Sequence, residues 1–429
     1  MPPPGTGATL AEWLRWQEGL SAREIELGLD RTIEVLGRLK LPRPGRVLTV
    51  AGTNGKGSSV AMLEALYRRR PGVVGAYSSP HVLRYAERVR LDGEAVRDGT
   101  LVRAFETVER ARRGVPLTYF EFGTLAALCV FAEARAATII LEVGLGGRLD
   151  AVNALDHDGC LITNVSLDHQ EWLGDDIADI AREKAGVMRR SKPAVFGSID
   201  MPPVIGSTAD ALGARLIARG RDFDWRTSGT GWCWQGTTRV IDALDAPALR
   251  GRHQFDNAAA ALALVEAVGD VSLLDRQAIN AALGSVRLTG RLQLVHARQR
   301  RWLLDGAHNA AGAATLADAL ADLGGAAAAV LGILRDKDAA GIVAALAPQV
   351  QRFIATRAAS ERALTPQELD AIVDATTNRT RGRAEPVSAA LEAALEQTGP
   401  GDLIVVAGSF YTLGPAFDWL GFDGDTPAA

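Results

Sequence analysis

Residues 46–60 read RVLTVAGTNGKGSSV: an apolar β-rich run, a glycine-rich turn, then the start of a helical pattern. In that order, glycines let backbone N–H groups converge on phosphate oxygens, the helix N-terminus adds positive potential, and Lys56 supplies a mobile cation. Ser58 or Ser59 is placed to reach a phosphate-bound magnesium. The spacing departs from the common phosphate loop, because Gly52 and Gly55 are only three apart and Gly57 follows the lysine. A plain glycine-rich turn is the alternative.

Working outward, similar apolar runs start at Val73 (VVGAYS), Ala137 (ATIILEVG), Gly159 (GCLITNV) and Pro193 (PAVFG), with amphipathic segments between them. This alternation predicts an α/β fold, a mainly parallel sheet covered by helices, with ligand sites beyond the carboxyl ends of the strands. Asp224–Val240, rich in tryptophan, threonine and glycine, breaks the rhythm and reads as a β-hairpin insertion. A second series starts near Leu292 (QLVHA, RWLLDGAHN, AAAAVLGI, QRFIATR, DLIVVAGS). The expected organisation is an N-terminal phosphate-loop domain over 1–290 and a smaller Rossmann-like α/β domain over 291–429. The tail DGDTPAA has nothing to bury and is expected to fray.

A chain of 429 residues exceeds one typical domain of about 100–200 residues, in keeping with that division. Its 47% apolar and 23% charged residues are those of a chain that folds in water. The net charge of −4, with both signs interspersed, disfavours nucleic acid. No apolar stretch is uninterrupted enough for a membrane span or leader, and three cysteines without metal-ligand spacing suit a reducing compartment. The expected address is the cytoplasm.

Candidate chemistry sits at the strand ends. YSSPH (77–81) places small hydroxyls beside a proline turn, either a plain turn or a ligand contact. Glu142 is the sole charge closing an apolar run before the turn GLGGRLD, and a carboxylate there needs a partner or a cation. Asp168 and His169 follow another run, with structural and ligating roles both open. In the segment from Asp176, Ile177, Ile180, Ala181, Val187 and Met188 form an apolar stripe on which Lys184 falls. A lysine there either snorkels or pairs with a carboxylate, or is desolvated enough for its neutral amine to add carbon dioxide as a carbamate. Phe120 is either core or an aromatic face for a flat heterocycle, and Asp150 is an acceptor beside it.

Together AGTNGKGS, YSSPH, TYFEFGT (118–124), LEVGLGGRLDAVN, LDHQEWLG, REKAG (182–186), DGAHN (305–309), GILRDKD (332–338) and GSFYTLG (408–414) resemble the folylpolyglutamate synthase and dihydrofolate synthase family of the Mur ligase superfamily. The resemblance covers nearly the whole chain. It implies a central ATP-binding domain and a C-terminal glutamate-ligase domain. It also implies that Thr53, Asn54, Gly55, Lys56, Gly57, Ser58, Asn257, Arg291, Asp305 and His308 contact ATP. Ser79, Glu142, His169 and Lys184 as a carbamate would hold magnesium, with two magnesium sites in all and room for a monovalent cation. Glu142, His169, Lys56 and Lys184 would carry the catalysis. Glu26, Leu27, Gly28, Leu29, Thr118, Tyr119, Phe120, Glu121, Leu149, Asp150 and Ala151 would bind the pterin substrate. The implied partners are dihydropteroate, tetrahydrofolates and L-glutamate, met by a monomer that joins them through an acyl phosphate. A peptidoglycan-precursor ligase and a regulatory phosphate-loop ATPase are the rival readings.

Overall fold

A computed structural model describes residues 3–5, 7–21, 26–229 and 231–422; the tail 423–429 lies outside the described residues. The first series of runs forms an eight-stranded sheet of β1 (Arg46–Ala51), β2 (Val74–Tyr77), β3 (Val89–Leu91), β4 (Glu94–Ala95), β5 (Thr138–Glu142), β6 (Gly159–Ile162), β7 (Pro193–Phe196) and β8 (Arg215–Ala218). Its order is β4-β3-β2-β5-β1-β6-β7-β8, parallel except for β3 and β4. Largely apolar, buried strands such as β1 and β5 sit at its centre because helices cover both faces. Register sets Val50 beside Glu142 and Ala51 beside Ile162, so β1, β5 and β6 deliver their following loops to one edge.

The helix Lys56–Tyr67 is buried at every position from Ser58 onward, packed between this sheet and the helix His253–Ala267. That all-round burial explains why its sequence shows no polar face. The tryptophan-rich insertion is a three-stranded antiparallel meander, not the expected hairpin: β9 (Asp224–Ser228), β10 (Gly231–Gln235) and β11 (Val240–Leu244). β11 lies past the expected end of the insertion and buries Ile241 and Leu244. Trp232 and Trp234 are its buried anchors, and Trp225 stacks on Phe255 at 4.9 Å.

The second series gives a six-stranded sheet, β12 (Gln293–Ala297), β13 (Arg300–Leu304), β14 (Ala328–Leu331), β15 (Arg352–Ala355), β16 (Thr380–Arg383) and β17 (Leu403–Ala407), in the order β12-β13-β17-β14-β15-β16. Only the β12–β13 pair is antiparallel. The carboxyl ends of β13, β14 and β17 carry Asp305, Lys337 and Ser409 to the wall of a cavity shared with the first sheet. Among the described residues no helix is long and apolar enough to cross a membrane.

Candidate active site

The glycine loop between β1 and the helix Lys56–Tyr67 is shaped by two close approaches. Gly55 has φ 83°, and a Cβ there would lie 2.5 Å from Asn257 Oδ1; a Cβ on Gly52 (φ 141°) would strike Thr163 Oγ1. Only glycine permits both. Asn164 fixes the loop further: its Oδ1 accepts the Asn54 N–H at 3.0 Å and its Nδ2 donates to the Asn54 carbonyl at 3.0 Å.

Two lysines meet beneath the loop. Lys56 Nζ donates to the carbonyls of Gly52 and Thr53, both at 3.0 Å, and Lys184 Nζ donates to the Gly52 carbonyl at 3.2 Å. The helix Ile177–Ala185, capped by Asp176, buries Ile180, Ala181, Lys184 and Ala185, while Ile177 is half-buried and Val187 and Met188 lie beyond its end. Lys184 is 4% exposed and makes no ion pair among the described residues. Burial, then the charge of Lys56, lowers its pKa to about 7, so a large share of its amine is neutral near neutral pH.

Glu142 is buried, accepts the Ser79 N–H at 3.3 Å, and has its pKa raised by burial against the opposing charges of Lys56 and Arg291. His169 is held by desolvation as a neutral ring, its pKa lowered to about 3. Among the described residues no three His, Cys, Asp or Glu side chains form a metal cage. The candidate donors are a mixed set: Glu142 with one hydrogen bond and spare lone pairs, the hydroxyl of Ser79, the neutral ring of His169, and Lys184. Glu142 and Ser79 offer oxygens of the kind magnesium takes with water completing its shell, and Lys184 would add oxygen only as a carbamate.

Most of these groups border one cavity of about 1350 Å³ walled by both sheets. Thr53–Ser58, Ser79, Glu142, His169, Asn257, Arg291, Asp305 and His308 line it, as do Glu26–Gly28, Thr118–Glu121 and Leu149–Ala151. Leu29 and Lys184 do not; Lys184 sits behind the loop. Arg291 stacks over Phe410 at 4.6 Å and approaches Glu142 across Gly57. Asp305 accepts the N–H groups of Leu292 and Ala307, and His308 bonds the Gly306 carbonyl through Nδ1 at 2.7 Å.

At the pterin end, several candidates also carry structural duties. Thr118 caps the helix Tyr119–Glu133 in a capping box with Glu121, whose carboxylate also accepts from Arg31 at 3.2 Å. Asp150 accepts three backbone N–H groups, from Gly144, Leu145 and Val152, and burial raises its pKa to about 7. Phe120 packs against Gly144 and Tyr77 with part of its ring facing the cavity.

A polar cluster that no single stretch of sequence marks joins the two sheets. Asp168 Oδ1 accepts Lys337 Nζ at 2.6 Å, Asp168 Oδ2 accepts Asn309 Nδ2 at 2.9 Å, and His308 Nε2 stands 3.5 Å away. Asn309 also pairs with the Asn54 side chain, and Lys337 Nζ lies 3.2 Å from His169 Nε2. Burial would raise the pKa of Asp168, yet the His308 hydrogen bond and the charge of Lys337 hold it far below the carboxylate range. Its only signal in sequence is that DGAHN and GILRDKD, like LDHQ, follow apolar runs.

The family description "Mur ligase, glutamate ligase domain" matches residues 290–410. A dihydrofolate synthase/folylpolyglutamate synthase of Escherichia coli is 38% identical over 415 residues, covering 96% of this chain and 95% of that protein. Among solved structures, an E. coli enzyme in complex with DHPP and ADP superposes with a TM-score of 0.90 at 37% identity, covering 97% of this chain and 98% of that one. A bifunctional folylpolyglutamate synthase/dihydrofolate synthase with Mn, AMPPNP and L-glutamate bound gives a TM-score of 0.89 at 38% identity, covering 98% and 100%.

Proposed function

We infer, because this chain belongs to the dihydrofolate synthase/folylpolyglutamate synthase family, that it is an ATP-dependent ligase. It joins L-glutamate to 7,8-dihydropteroate, giving dihydrofolate, and extends tetrahydrofolates to polyglutamates. ATP and a divalent cation are its cofactors, as the nucleotide- and Mn-bound relatives support. The observation that carries the reading is the convergence of Lys56 and Lys184 on one loop carbonyl, beside buried Glu142, in a cavity closed by groups from both sheets.

A carboxylate oxygen of the acceptor attacks the γ-phosphorus of ATP, giving an acyl phosphate and ADP; the glutamate amine then attacks the acyl carbon, losing a proton as phosphate leaves. In our assignment the loop Thr53–Ser58 and Lys56 hold the phosphates, and Asn257, Arg291, Asp305 and His308 complete the nucleotide site. Ser79, Glu142, His169 and Lys184 would hold magnesium, which when bound offsets charge on the phosphoryl oxygens. The neutral Lys184 amine is suited to attack carbon dioxide: an N–C bond forms, one proton leaves to solvent, and a carbamate anion results. The boundary near residues 290/291 separates the halves of this site, and the Asp168–Lys337–Asn309 cluster keeps them closed so that water does not reach the acyl phosphate. Two pterin positions are needed, because dihydropteroate reacts at its aminobenzoate carboxylate and a folate at its glutamate. Phe120 and the loop held by Asp150 form the first. Its three cysteines are free and buried, which suits a reducing compartment such as the cytoplasm.

The test is mass spectrometry of products after incubation with ATP, L-glutamate and either dihydropteroate or tetrahydrofolate. Dihydrofolate and glutamyl-extended tetrahydrofolate are expected; ADP without either would leave only the ATPase reading.

A further inference from the structure

The helix Leu10–Glu18 turns Leu10, Trp13, Trp16 and Gln17 inward. Leu10, Trp13 and Gln17 follow one another at helical spacing on one stripe, so Gln17 stands where a core-facing helix carries an apolar residue. It is 1% exposed, and neither its Oε1 nor its Nε2 has a hydrogen-bond partner among the described residues. Burying an amide without partners costs free energy that a leucine would not. Packing therefore does not account for it. Gln17 also lines the shared cavity. The other cavity-lining residue with a buried, unpartnered polar atom is Ser166, whose N–H and carbonyl both bond Thr53 Oγ1 of the glycine loop.

Position and chemistry narrow the ligand. Trp16 packs edge-on against Phe122 at 5.9 Å and the charge of Glu18 reaches Tyr119, so the end of this helix abuts the first turn of the helix Tyr119–Glu133. Gln17 thus stands at the pterin end. The neighbouring carboxylates are already engaged: Glu121 with Arg31, Thr32 and the Thr118 N–H, Glu26 with Arg31, and Asp150 with three backbone N–H groups. A primary amide offers an acceptor and a donor side by side. Glutamate carboxylates are acceptors only, the aminobenzoate ring carries no donor beside an acceptor, and a trans secondary amide points its N–H and C=O in opposite directions. The pyrimidinone ring of a pterin does carry an N–H beside a carbonyl. We propose that Gln17 reads this lactam edge of dihydropteroate in the first pterin position, Oε1 accepting the ring N–H and Nε2 donating to the ring carbonyl, a role that rests on the ligase reading above.

The test is Gln17→Leu, read in two ways. Because leucine removes a buried amide that lacks partners, the ligand-free variant should unfold about 2–4 °C above wild type. The KM for dihydropteroate should rise roughly 10- to 50-fold, with the KM values for ATP, L-glutamate and tetrahydrofolate within about 2-fold of wild type. A gain in stability beside a loss in binding is the mark of a group kept for its ligand and not for packing. Gln17→Met, similar in length, should behave alike and serves alone if the leucine variant does not fold. A lowered unfolding midpoint would make Gln17 a structural residue and overturn the role. So would an unchanged KM for dihydropteroate, or an equal rise in the KM for tetrahydrofolate. Failure of wild type to form dihydrofolate is separable: it removes the ligase reading, and this role with it.

Discussion

The helix Ile177–Ala185 and the loop 332–338 each bury one lysine near the same cavity, Lys184 behind the glycine loop and Lys337 on the wall, and they treat it in opposite ways. Lys337 is met by Asp168 at 2.6 Å, with Asn309 and His308 around the same carboxylate. Lys184 is met by a carbonyl and by the repulsive charge of Lys56. Both are buried, so burial alone assigns neither. The compensating group does: a carboxylate makes Lys337 a fastener between two sheets, and its absence leaves Lys184 an amine available for chemistry.

The largest effect should follow from removing the available amine. Lys184→Ala should lower kcat by roughly 100-fold or more, on the scale of a lost electrostatic group in a closed site. Acetate or formate, entering the vacated space, should restore part of it. Lys337→Ala should show no such rescue, and a rescue there would erase the contrast between the two lysines.

Next is the fastener. Asp168→Asn strands a buried ammonium, and the loss of one partner from such a pair costs about 3–5 kcal/mol, to be read as a fall in unfolding free energy in denaturant titrations. Asp168→Leu combined with Lys337→Met should be less destabilised than the sum of its single variants. Additive singles would mean that the pair does not hold the sheets together.

A smaller effect separates the lysines by pH. Lys184 titrates near pH 7 when folded and near 10.5 when unfolded, so between those values the unfolded chain binds more protons and stability should rise with pH. In Lys184→Met that rise should flatten, as unfolding midpoints from pH 7 to 10 will report. An identical slope in the variant would mean that the amine is not desolvated.

The smallest effect lies at the pterin end. Phe120→Ala should raise the KM for dihydropteroate roughly 10-fold while changing that for tetrahydrofolate about 2-fold, given the area an aromatic face contributes. Asp150→Ala is a poorer probe, because it frees three buried N–H groups and should disturb both activities through the loop. Equal losses in Phe120→Ala would remove the two-position scheme.

Much of the first region was legible in sequence because its signals are local. A glycine loop between strand and helix, a lone glutamate closing an apolar strand, and a lysine on an apolar stripe each lie within about a dozen residues. The joint was not legible: Asp168 and Lys337 are 169 positions apart, and Asn54 and Asn309 are 255. Charged residues on loops read as solvated until the fold brings them together. β16, with the sequence TRGR, shows no apolar alternation to read, and β3–β4 is too short to show any.

The contrast between the two lysines is tested most directly by carbon-13 NMR of the protein equilibrated with labelled bicarbonate near pH 8, with ATP analogue and magnesium present. Wild type should show one protein-bound carbamate resonance that is retained in Lys337→Ala and lost in Lys184→Ala. An active wild-type enzyme with no such resonance, or one that survives in Lys184→Ala, would contradict the account.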